Sequence, residues 1–117
     1  MAKNKDATRY FSDLHEKSVC EALGAIQQPN SGAVTFRKGD AVQKAASLLI
    51  ECKCSMSDKN SVSIKKEWVD KNKEEAFTQR LYNSCIAFNF KPNGNNYYVI
   101  DEKLMQFLVE KLVEENK

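Results

Sequence analysis

The chain has little of what builds metal–thiolate centres or disulfide frameworks. Its 117 residues include one histidine, His15, and four cysteines, Cys20, Cys52, Cys54 and Cys85. No cysteine lies four residues from His15, no paired CxxC occurs, and Cys52 and Cys54 are too close on one strand to bridge comfortably. The cysteines therefore read as reduced core residues of a reducing cell interior. No apolar run approaches the length of a membrane span. The opening Met1-Ala2-Lys3-Asn4-Lys5-Asp6 lacks the apolar stretch of a secretory signal, so the expected location is the cytoplasm. Repeats, low-complexity tracts and linkers are also missing, which leaves a single domain over residues 1–117, with residues 1–6 frayed.

The net charge of +2 argues neither for nor against a nucleic-acid partner. Its distribution says more. Residues 37–66 carry Arg37, Lys38, Lys44, Lys53, Lys59, Lys65 and Lys66 against Asp40, Glu51 and Asp58. Residues 101–117 are acidic on balance, with Asp101, Glu102, Glu110, Glu114 and Glu115 against Lys103, Lys111 and Lys117. The basic excess surrounds the residues that carry the chemistry below, where a polyanion would bind. A solvated charged surface is the plain alternative.

Apolar periodicity predicts a helix from Thr8 to Leu23, stopped by Gly24, and then a loop over Gln27-Gln28-Pro29-Asn30-Ser31-Gly32. Strands are expected at Ala33–Phe36, Asp40–Gln43 and Leu48–Cys54, the last two forming an antiparallel hairpin, followed by a mobile polar stretch at Ser55–Asn60. A second helix is expected from an N-cap at Ser63 to Leu81, with Ile64, Trp68, Val69, Ala76, Phe77 and Leu81 inward. Strands at Ser84–Phe90 and Tyr97–Ile100 flank the turn Pro92-Asn93-Gly94-Asn95. A last helix after Asp101 carries Leu104, Met105, Phe107, Leu108, Val109, Leu112 and Val113, too wide a set for one buried stripe. The order α-β-β-β-α-β-β-α predicts an α/β domain, one sheet with helices packed on it.

Glu51 and Lys53 lie in the apolar run Leu48–Cys54, where alternation sends both to one face and Ile50, Cys52 and Cys54 to the other. A carboxylate there is costly unless paired. The hairpin brings Asp40 beside Glu51. Two carboxylates and a lysine on one face suit a divalent cation and a phosphate; a structural Glu51–Lys53 ion pair is the alternative. The first helix offers Glu16, with Asp13 and Glu21 as competitors. His15 reads as a packed or exposed helix histidine, with phosphate contact as the alternative, Trp68 as a packed helix residue, and Gln79 and Tyr82 as helix surface and core edge.

Asp40 followed by Glu51-x-Lys53 on the next strand, preceded by a helix bearing Glu16 and followed by a helix and a further strand, resembles the PD-(D/E)XK nuclease superfamily. Within it the chain is most similar to small Holliday junction resolvases of archaeal and phage type, which also carry a small polar loop like Asn30-Ser31-Gly32. The resemblance covers residues 8–100, and the first motif reads Gly39-Asp40 without a proline. It implies a restriction-endonuclease-like fold with a central mixed sheet of about five strands flanked by helices. It implies Mg²⁺, with Mn²⁺ substituting, held by Asp40, Glu51, the Cys52 backbone carbonyl and Glu16, with Lys53 at the reacting phosphate. Ser31, Arg37, Lys38, Lys65 and Lys66 are the expected DNA contacts, the substrate is expected to be branched DNA, and paired cuts imply a homodimer. The rivals are a nicking or restriction-type nuclease and a non-catalytic DNA-binding module of the same fold.

Overall fold

Helix ends in this chain are set by backbone chemistry that composition only partly announces. The computed structural model describes the backbone of residues 2–28 and 40–117, and side chains from Ala7 onward. Helix α1 spans Ala2–Leu23, so residues 2–6, expected to fray, continue the helix. It stops at Gly24, whose φ of +64° is the left-handed conformation glycine adopts without strain. The Ala25 N–H then donates back to the Cys20 carbonyl at 2.9 Å, and the Gln43 amide donates to the carbonyls of Leu23 and Gly24 at 3.1 Å each.

Strands β1 (Ile26–Gln27), β2 (Ala41–Gln43) and β3 (Leu48–Lys53) precede α2 (Lys66–Thr78); β4 (Asn83–Phe88), β5 (Tyr97–Val99) and α3 (Glu102–Glu115) complete the chain. The described elements spell the expected α-β-β-β-α-β-β-α, but with Ile26–Gln27 as the first strand rather than Ala33–Phe36. Among the described residues, the strands form one open five-stranded sheet in the order β1-β2-β3-β4-β5. β3 and β4 are parallel and every other pair is antiparallel. On one face, Val19 of α1 buries against Ala41, Ile50, Cys85 and Ala87. On the other, Ala76 of α2 buries against Val42 and Leu49. Strand alternation thus makes two cores from one sheet. Among the described residues, no helix is long and apolar enough to cross a membrane.

Several boundaries differ from the sequence reading. The strand expected at Ala33–Phe36 lies outside the described residues, and the first strand of the sheet is Ile26–Gln27, pairing with Val42 and Ala41 where a loop was expected to begin. α2 starts at Lys66 rather than at Ser63, and Lys65 caps it without a side-chain hydrogen bond. It ends at Thr78, short of Leu81. The Arg80 N–H donates to Phe77 and the Leu81 N–H to Ala76, with Arg80 at φ +61°, a Schellman turn built without glycine. Asn72 and Ala76 hold the inner face of α2; Phe77, about 100° further round, is 84% exposed instead of packed inward. Ser55, expected in a mobile stretch, is buried. Its N–H donates to Asn89 Oδ1 and its hydroxyl to the Asn89 carbonyl, both at 2.8 Å. These bonds tie β3 to β4 just past Lys53.

Candidate active site

The hairpin register pairs Ala41 with Ile50, and one step further sets Asp40 opposite Glu51. Asp40 precedes β2 but continues its ladder: its N–H donates to the Ile50 carbonyl and its carbonyl accepts from Gln28, both at 3.0 Å. The next backbone donor on β3, the Cys52 N–H, meets the Asp40 side chain, donating to Oδ2 at 2.6 Å. A charged acceptor makes this a strong bond. Ile50 and Cys52 are two apart and direct their backbone groups to the same neighbour, so the Cys52 carbonyl lies on the edge that Asp40 occupies.

Glu51 and Lys53 share the face of Leu49, toward α2. Their charged atoms lie 3.6 Å apart, and the side chains are 24% and 33% exposed. The Lys53 ammonium stands 4.7 Å from the centre of the Trp68 indole, within cation–π range. Glu51, Lys53, Glu67, Trp68, Lys71 and Asn72 line a cleft of about 430 Å³. Because β3 and β4 are parallel, Glu51 and Lys53 stand at their carboxyl-terminal ends, where open α/β sheets bind ligands.

Glu16 reaches Asp40 from the α1 side, half-buried, accepting a hydrogen bond from the Gln27 amide at 3.2 Å. Burial, then the Asp40 charge, raises the Glu16 pKa to about 7. The same two causes raise Glu51 to about 7, against the opposing pull of Lys53. Burial also raises Asp40, while the Cys52 N–H, Lys53 and His15 pull it back. Burial lowers the pKa of His15 itself, which weakens the positive charge it offers Asp40. The three carboxyl groups are therefore short of positive charge. Burial, with Asp40 nearby, holds the Cys52 thiol far above the ordinary range, which disfavours the thiolate.

The structure places Glu16, Asp40, Glu51, Cys52 and Lys53 at one end of the sheet; of Asp13, Glu16 and Glu21 on α1, Glu16 is half-buried and the other two are exposed. Lys65 lies beside the site, its ammonium 5.8 Å from the Trp68 ring centre. Lys66 is not brought in with it; it pairs with Asp70 at 2.6 Å on the exposed side of α2. Ser31, Arg37 and Lys38 lie outside the described residues. His15 is packed, 2% exposed, its Nε2–H donating to the Ala87 carbonyl at 3.3 Å. Sequence reasoning missed Trp68, Asn72 and Gln27 as neighbours of the site. Trp68 and Asn72 are four apart on α2, which announces a shared helix face but not what it faces. Gln79, read as helix surface, accepts from the Gln28 amide at 2.8 Å.

Among the described residues, no three His, Cys, Asp or Glu side chains group closely enough to form a ready-made metal cage. The chain matches no family profile, no curated protein and no solved structure.

Proposed function

We propose that this protein is a Mg²⁺-dependent DNA endonuclease of the restriction-endonuclease-like fold, cutting branched DNA such as four-way junctions in the cytoplasm. The observation that carries the reading is the fixing of Asp40 to the Cys52 amide, which sets it across from Glu51 with Lys53 alongside. The topology is compatible with it: an antiparallel β1-β2-β3 run, a helix, then β4 parallel to β3. The preference for branched DNA comes from the resemblance alone.

The donor set suits a hard cation. Asp40, Glu51 and the Cys52 carbonyl offer only oxygen, and Glu16 can hold a water of the ion. Carboxyls whose pKa values are raised first by burial and then by the Asp40 charge are relieved by a bound cation. Mg²⁺ ordinarily takes one or two carboxylates and keeps several waters, so the missing three-residue cage is no obstacle. When bound, it would lower the pKa of a water and neutralise the phosphate. Asp40 and Glu51 orient that site. Lys53, held between Glu51 and the Trp68 ring, offers its ammonium to the charge that develops on the phosphate oxygens.

The test is cleavage of a four-way junction, a flap, a duplex and single-stranded DNA with Mg²⁺, Mn²⁺ or EDTA. We expect metal-dependent cutting of the junction, and its loss in Asp40→Asn with binding retained. A structural ion pair would show the same 3.6 Å Glu51–Lys53 contact, as in a non-catalytic DNA-binding module of this fold. Metal-indifferent binding with no substrate cut would select that reading.

A further inference from the structure

We infer that α3 is the interface through which two copies of this chain pair, the outer apolar row of each α3 seating in the groove beside the other's. The inference does not depend on the nuclease reading. α3 is anchored at its start, where the Asp101 carboxylate accepts from the Leu104 N–H and from Lys73, both at 2.9 Å. Beyond that start it is apolar, yet no residue of it is buried.

Two apolar surfaces result. Leu104, Phe107 and Leu108 look toward the sheet, and with Leu48, Tyr98 and Ile100 they line an open groove of about 740 Å³. Met105, Val109, Leu112 and Val113 do not line it. They form a ridge on the other side of the helix, 52%, 44%, 60% and 53% exposed. A helix that is apolar around most of its circumference needs cover on more than one side. One sheet face supplies only part of that cover.

A second copy is the occupant that satisfies both surfaces at once. A two-fold axis presents the same patch twice, so the ridge of each copy enters the groove of the other. The charges favour an antiparallel arrangement. Lys103 lies at the groove rim next to Glu102, and Lys44 adjoins Ala45 of the lining, whereas the far end of α3 carries Glu110, Glu114 and Glu115 against Lys111 and Lys117, with Lys111 3.5 Å from Glu114, and is acidic by one charge. Antiparallel pairing sets that acidic end against the partner's basic rim and opposes the two helix dipoles. The area is sufficient. The ridge with Phe107 and Leu108 makes six side chains, each about half exposed. At roughly 200 Å² for a fully exposed residue of this size, they offer roughly 600 Å² per copy. Two copies reach roughly 1,200 Å², the lower bound for a stable specific interface. The groove starts at Leu48, the amino-terminal end of β3, while Glu51 and Lys53 lie at its other end. Pairing leaves both candidate sites open.

Sedimentation equilibrium of the full chain from about 1 to 100 µM decides the matter. We expect a dimer, and for Val109→Glu at least a tenfold weaker association with an unchanged circular dichroism spectrum. Hydrogen exchange of the wild type across the same dilution series gives a second readout: the α3 amides should lose protection as the dimer dissociates. A wild type that is monomeric throughout overturns the proposal. So does a folded V109E variant that stays dimeric, or α3 exchange that is indifferent to concentration.

Discussion

Replacing Glu51 by glutamine should stabilise the metal-free protein at alkaline pH, the opposite of what losing a structural ion pair would do. In the unfolded chain the carboxyl titrates near 4.5; in the fold, burial and Asp40 lift it to about 7. Between those values the folded state holds the proton more often, so stability falls as pH rises and the loss is complete above about 7. At about 1.36 kcal/mol per pH unit, the full span corresponds to about 3 kcal/mol. Solvent screening reduces it, since the side chain keeps 24% of its exposure; the pull of Lys53 at 3.6 Å is already contained in the raised pKa. At pH 8 the E51Q variant should therefore be more stable than wild type by about 1–2 kcal/mol, or ~3–6 °C in Tm for a domain of this size. At pH 4.5 the difference should vanish. Glu16, which also feels Asp40, keeps a residual slope in the variant. Urea unfolding at a series of pH values in EDTA measures this directly. A variant less stable than wild type at every pH would show that the Glu51–Lys53 pair is structural, and the argument for a strained carboxylate site would fail with it.

Lys53→Ala should lower single-turnover cleavage on the order of 10²-fold or more while leaving DNA affinity nearly unchanged; unchanged cleavage with a fallen Tm would make Lys53 a packing residue. Asn89→Ala should cost roughly 2 kcal/mol or more in chemical denaturation, because it strips the buried Ser55 N–H of its acceptor; a cost under half of that would mean the tie between β3 and β4 carries little. Arg80→Gly should raise stability by about 0.5–1 kcal/mol, since glycine adopts the left-handed turn conformation freely and arginine does not; a destabilised variant would point to contacts of the arginine side chain that outweigh the strain.

What the sequence disclosed was whatever depends on short-range pattern. Alternation along Leu48–Lys53 separated Glu51 and Lys53 from Ile50 and Cys52, because a strand has no other way to distribute its side chains. The hairpin register followed from the turn and brought Asp40 opposite Glu51. What stayed hidden depends on tertiary partners. Nothing local marks Ile26–Gln27 as a strand, since its two residues are held by pairing with β2. Ser55 looked like part of a polar loop because its acceptor, Asn89, lies 34 positions away. α2 ends early because its last carbonyls accept from Arg80 and Leu81 in a turn whose usual marker, glycine, is missing. The packing of Trp68 under Lys53 joins a helix face to a strand face, and only the fold joins them.

That last contact gives the chain its own optical probe. Trp68 is the single tryptophan, and it lies half-buried at the candidate site rather than in either core. Its emission therefore reports the local field at one end of β3. An ammonium 4.7 Å from the ring centre biases the indole's excited-state dipole, so displacing Lys53 toward an incoming phosphate would change colour and intensity together. Unlabelled protein can thus be titrated with oligonucleotides by ultraviolet excitation alone. For the same reason, a thermal melt followed through this fluorophore can register loosening of the site before the rest of the domain gives way.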